Sequence, residues 1–176
     1  MNGINLKELC KQIKKSGKSY LIWVLQDGMH YISNRHWAVK FNVLPREVLI
    51  ALFSVFADQP KAGISFINTP MGLQISKIDD SKINIKDIFE QSLQNADEGV
   101  ITNVVIDYDN VSMRIFKTSD YITRINNDYA SMTEIKEGKS AGQQKPISFC
   151  NNDLIILPFR ATSNDEDELI RSVLEI

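Results

Sequence analysis

Leu6, Leu9, Cys10 and Ile13 recur at the three-and-four spacing that puts side chains on one side of a helix, and Gly17 follows as a stop. The pattern predicts an amphipathic helix over Leu6–Ser16. Lys7, Lys11, Lys14 and Lys18 recur at four, three and four residues and form a second stripe, about a third of a turn from the apolar one. The pattern then changes to the period of two that marks strands, over Ser19–Gln26, Met29–Ser33 and His36–Phe41. Asp27-Gly28 between the first two predicts a type I′ hairpin, which needs positive φ at both central residues. Asn34-Arg35 is a weaker turn between the second and third.

Two-residue turns at both places set Leu25 opposite His30 and Ile32 opposite Trp37. One face then collects Leu21, Trp23, Leu25, His30, Ile32, Trp37, Val39 and Phe41, and reads as a core face. The other collects Ile22, Val24, Gln26, Met29, Tyr31, Ser33, His36, Ala38 and Lys40. Both histidines and both tryptophans of the chain lie in this stretch, so it invites a reading as a catalytic cluster. The register speaks against that, because His30 and His36 point to opposite sides. His30 is expected to be a satisfied core histidine and His36 an exposed one.

A second helix is predicted in "LPREVLIALFSVFADQ", with Pro45 in its first turn, Glu47 near its positive end and Pro60 past its end. It is apolar nearly all round, so deep packing is expected. "AGISFINTPMGLQISK" reads as two strands around Thr69–Gly72. From Ser81 the order begins again. "SKINIKDIFEQSLQN" is helical with Ile85, Ile88, Phe89 and Leu93 on one side, and three strands follow with a turn at Asp109-Asn110. "NNDYASMTEIKEG" predicts a capped helix ending at Gly138, "EGKSAGQQK" a polar surface loop, and "KPISFCNNDLIILPFR" a hairpin turning at Asn151-Asn152. The chain thus reads twice as helix, three strands, helix, two strands, with a period of about 80 residues. After Arg160, Ser163 and Glu166 form a capping box for a terminal helix carrying Leu169, Ile170, Val173 and Leu174.

Composition narrows the function classes. The chain has 176 residues, 43% of them hydrophobic and 24% charged, and a formal charge of -2. That is a globular composition, long enough to bury a core, and it excludes a protein that coats nucleic acid with its whole surface. The apolar run Val48–Ala57 is about half the length of a spanning helix, and lysines arrive before any signal-like apolar segment. A cytoplasmic protein without membrane contact is expected. Cys10 and Cys150 are expected as reduced, buried thiols rather than a bridge.

Candidate chemistry is sparse. Neither phosphate-loop pattern occurs, and the Gly-Lys-Ser in "EGKSAG" lacks the upstream glycine. A nucleophilic triad would need a serine or cysteine beside a histidine, which the register does not offer. A metal site would need three or four convergent ligands, and the chain has two histidines. Asp79-Asp80 and the acidic run at 165–168 read as solvated charge. No catalytic residue, no metal and no cofactor is expected, and the protein is not expected to be an enzyme. The lysine stripe has two readings: a solvated face, or ammonium groups that meet successive phosphates without reading bases.

Three features carry a resemblance. The ending Leu157-Pro158-Phe159-Arg160 closes the strand begun by "NDLIIL". "ISNRHWAVKF" leads through "NVLPRE" into a helix. The order of elements is duplicated. Together they resemble the bacterial DNA polymerase sliding clamp, a processivity factor. The resemblance implies an α+β, DNA-clamp-like fold with antiparallel sheets: two similar halves, 1–80 and 81–162, and an acidic helical tail, 163–176. It implies that Lys7, Lys11, Lys14 and Lys18 face the backbone of double-stranded DNA, and that Leu157, Pro158 and Phe159 border a pocket for short peptides of polymerase or other replication proteins. It also implies self-association into a ring. The alternatives are an adaptor of the same fold that never encloses DNA, and an unrelated α+β domain.

Overall fold

The computed structural model describes residues 3–78, 84–108 and 110–159. Its first helix, α1 (Leu6–Ser16), begins where the Asn5 side chain accepts a hydrogen bond from the Glu8 amide, an N-cap, and ends at Gly17. Leu9 and Ile13 are fully buried as expected, but Gln12 and Ser16 join them while Leu6 and Cys10 are half-buried. The buried side is therefore rotated relative to the expected one. At 100° per residue this sets Lys7, Lys11 and Lys14 opposite the core rather than a third of a turn from it, while Lys18 lies past the helix, in the turn after Gly17.

Strands β1 (Leu21–Gln26), β2 (Met29–Ser33) and β3 (Trp37–Phe41) form the expected meander. Asp27 and Gly28 both have positive φ, and Leu25 stands opposite His30. The second turn differs. Ile32 pairs with Val39 rather than Trp37, because Asn34 binds the amides of both His36 and Trp37 and spreads the loop over four residues. The shift is by two positions, so every side chain keeps its expected face.

Helix α2 (Arg46–Phe56) follows, with Pro45 as its N-cap. It is not packed all round: Val48, Ala51, Leu52 and Phe56 are buried, whereas Ile50 and Phe53 are exposed. β4 (Ile64–Thr69) and β5 (Gly72–Lys77) form the next hairpin, and α3 (Ile85–Gln91) comes after it. Ile85 and Phe89 are buried in α3, but the helix stops before Leu93, which is exposed. β6 (Asp97–Tyr108), β7 (Val111–Thr118) and β8 (Ile122–Asn126) are the three predicted strands.

The largest departure lies beyond them. α4 (Asn127–Ala130) is one turn long and does not reach Gly138. The chain's start competes for the following backbone: the Asn5 amide bonds to the Met132 carbonyl, the Glu134 amide bonds to the Gly3 carbonyl, and Ile4 bridges Thr133. Glu137 and Gly138 instead belong to β9 (Glu137–Ser140), so the stretch expected as a surface loop contributes a strand between β6 and β10 (Ile147–Phe149). Gly138 pairs with Gly99, and a Cβ on Gly138 would come within 2.6 Å of the Phe149 ring. The facing glycines leave room for Phe149 and Phe116, which meet edge to face at 5.8 Å. Three strands, not two, follow α4, the last being β11 (Leu154–Ile156). Its turn carries Cys150, Asn151 and Asn152, all at positive φ.

Among the described residues the fold is α+β, with four helices and an antiparallel sheet of 11 strands in the order β5-β4-β1-β2-β3-β11-β10-β9-β6-β7-β8. Helices α1, α2 and α4 contribute to one continuous core on one face, with Trp23, Trp37, Phe116 and Phe149. On the other face, α3 covers Ile22, Val24, Tyr31 and Ala38 in a smaller cluster. The two ends of the sheet differ. At β8 the Arg124 carbonyl receives the Phe159 amide, so the chain just past β11 returns to close that end. At β5 the outer edge pairs with no other strand among the described residues, and Leu73 and Ile75 are exposed. The expected tail, 163–176, lies outside the described residues, as do Asp79-Asp80.

Candidate functional site

The four lysines of the stripe are all exposed. Lys7 to Lys14 covers roughly 10 Å of helix axis at 1.5 Å per residue. Lys11 pairs with Glu8 at 3.2 Å, an exposed contact of little energy. Among the described residues, Lys7, Lys14 and Lys18 have no carboxylate partner. Lys15, beside the stripe, reaches Asp128 at 2.9 Å; that hydrogen bond raises its pKa and ties α1 to α4. The outward side of α1 is thus mostly uncompensated positive charge.

A cleft of about 720 Å³ runs between α1 and α2, bordered by Lys7, Lys11 and Lys14 and by Leu6, Cys10, Glu47 and Ile50. Burial pushes the Cys10 thiol up in pKa, against the opposing effect of Lys14. Burial does the same to Cys150, whose sulfur lies 3.4 Å from the Thr133 hydroxyl. Both cysteines are free, and both favour the thiol over the nucleophilic thiolate.

The histidines take the places that the register assigns. His30 is buried and accepts a hydrogen bond at Nδ1 from Trp23 Nε1 at 3.2 Å. Burial lowers its pKa and keeps it neutral. His36 is exposed and stacks on Tyr129 at 6.2 Å. The two rings serve different surroundings. Among the described residues, no group of three or more histidines, cysteines or carboxylates converges on one point.

Leu157, Pro158 and Phe159 lie on the segment that crosses from β3 to β8. The Leu157 amide bonds to the His36 carbonyl, and its side chain packs into the cluster under α3. Pro158 is half-buried, and Phe159 is 43% exposed. Arg160 lies outside the described residues. The segment and the lysine stripe are built from different elements, and the cleft beside the stripe is not lined by Leu157, Pro158 or Phe159.

Sequence reasoning passed over a group of polar residues near the end of α1. Gln12 sits on the buried side of the helix, and Arg35 was legible only as a turn residue. The available signal was Gln12 itself, a polar side chain three positions after Leu9 on the apolar side.

Among the described residues, no helix is long and apolar enough to cross a membrane. Set against known proteins, the chain matches no family model and no curated protein sequence.

Proposed function

We propose that the protein is a non-enzymatic, clamp-like protein that holds double-stranded DNA by its phosphate backbone. The observation that carries this reading is the row of exposed lysines on the side of α1 opposite its buried residues. Ammonium groups at that spacing can each meet a phosphate without reading a base. The strand order gives the clamp-like part support, since β4-β1-β2-β3 recurs as β9-β6-β7-β8, with α2 and α4 in matching connections. Enclosing a duplex would take more than one copy. Leu157, Pro158 and Phe159 are the candidate border for peptides of polymerase or other replication proteins.

The test is retention on circular and linear duplex DNA over a salt series, with the Lys7, Lys11, Lys14 and Lys18 side chains changed together to glutamine. Preferential, salt-sensitive retention on circles is expected. Loss of the four lysines should reduce the magnitude of the salt slope by about 3 to 4. A strict monomer with no DNA contact at low salt would overturn the reading.

A second reading, an adaptor that docks partner peptides, is favoured by one observation. The α1–α2 cleft beside the lysines is partly apolar, and Ile50 on its border is 57% exposed. An adaptor would lose partner capture on Ile50→Glu while the DNA assays stay negative.

A further inference from the structure

A separate cavity of about 330 Å³ opens between the end of α1, the β2–β3 loop and α4. Gln12 lines it while only 1% exposed, and among the described residues its amide nitrogen has no hydrogen-bond partner. Tyr20 also lines it while packing against the cluster on the other face of the sheet, and its hydroxyl is buried with no partner among the described residues. An unpartnered donor is costly, since it forfeits its hydration. A ligand with an acceptor oxygen would satisfy the Gln12 amide.

The charge at the cavity has the matching sign. The Arg35 guanidinium lies 3.7 Å above the Tyr20 ring, which fixes its plane and leaves its N–H edge available for oxygen. Among the described residues Arg35 has no carboxylate partner, whereas Lys15 is already held by Asp128. Arg35 also sits at φ +76, a left-handed conformation that side chains other than glycine rarely adopt. The surrounding bonds enforce it: the Arg35 amide donates to Ser33 Oγ at 3.2 Å, and Asn34 Nδ2 donates to Ser16 Oγ at 3.0 Å. His36, stacked on Tyr129, adds an aromatic wall.

We propose that this cavity is an anion site that takes a phosphate monoester, with Arg35, held on the Tyr20 ring, as its charged contact and Gln12 as a neutral donor. The site is independent of the α1 lysine stripe and of the DNA reading. Free phosphate and a nucleoside monophosphate offer the same group, and titration with each separates the two sources.

Isothermal titration of the full chain with inorganic phosphate, adenosine monophosphate and adenosine tests it. Phosphate and the monophosphate should bind, and adenosine should not. A tighter monophosphate than phosphate would identify the nucleotide as the source, and equal affinities would identify the phosphate group alone. Arg35→Gly suits the left-handed backbone and should fold, yet weaken binding by about tenfold or more. Gln12→Leu should weaken it while the packing of α1 is retained. Absence of phosphate binding to the native chain would overturn the proposal. So would unchanged binding by Arg35→Gly, or loss of binding when only the four stripe lysines are neutralised.

Discussion

The two faces of the β1–β2–β3 meander are both buried, but by different means. On one, Trp23, Ile32, Trp37 and Val39 lie under α1 and α2 in a core that runs on to Phe116 and Phe149. On the other, Ile22, Val24, Tyr31 and Ala38 are covered by the seven-residue α3, arriving from the far end of the β4–β5 hairpin. The first face is closed by long helices and aromatic packing. Among the described residues the second is covered chiefly by Ile85 and Phe89 of one short helix, with partly buried neighbours such as Ile78 and Leu157. A sheet buried on both faces can thus have one side that holds the fold and another that opens more easily.

The largest expected effect falls on the first face. Trp23 touches Phe53, Phe56 and His30, so Trp23→Ala should cost about 3–5 kcal/mol and lower the urea midpoint of the whole transition. On the second face Phe89 meets Tyr31 at 5.7 Å, and Phe89→Ala should cost about 3 kcal/mol, at the low end for such a truncation. Hydrogen exchange sharpens the contrast. Phe89→Ala should release α3 while α1 and α2 keep their protection; equal loss in all three would dissolve the distinction between the faces.

A smaller, pH-dependent effect belongs to His30. Its folded pKa lies below the ordinary 6.5 because burial disfavours the imidazolium. The unfolded chain takes up the proton first, so this stability is full above 6.5 and is lost as pH falls through the lower folded value. Urea midpoints should decline as pH falls below about 6.5, and His30→Gln should flatten that part of the decline. The smallest effect is expected at the stripe. Changing Lys7, Lys14 or Lys18 singly to glutamine should alter stability by no more than about 0.5 kcal/mol, since none lies in either core.

Local rules made much of this legible. The spacing of Leu9 and Ile13, the Gly17 stop after α1 and the Asp27-Gly28 turn each act within a few residues, and α1 and the first hairpin are readable for that reason. The longer Asn34 loop was missed, yet the faces survived because the slip was even. α4 and β9 failed for the opposite reason. Their backbone partners are Gly3–Asn5, β6 and β10, and the glycines of β9 look like loop residues until Phe149 is placed above Gly138. The lysine face was readable on one helix, whereas the cavity at Arg35 joins α1, a strand turn and α4, segments that no short window brings together. The second buried face depended likewise on α3 folding back over strands that precede it.

β11 has a consequence for how the molecule is made. It alone joins β3 to β10 in the strand order, and it is the last strand of the described chain. During synthesis, β3 emerges early and its outer edge stays unfilled until Leu154–Ile156 leave the ribosome. Up to that moment the sheet is two separate ribbons, β5-β4-β1-β2-β3 and β10-β9-β6-β7-β8, tied through the chain's start and α4 but not through the sheet. A message truncated before Leu154 would leave the facing edges of β3 and β10 raw, material for a protease or chaperone rather than a shorter working protein.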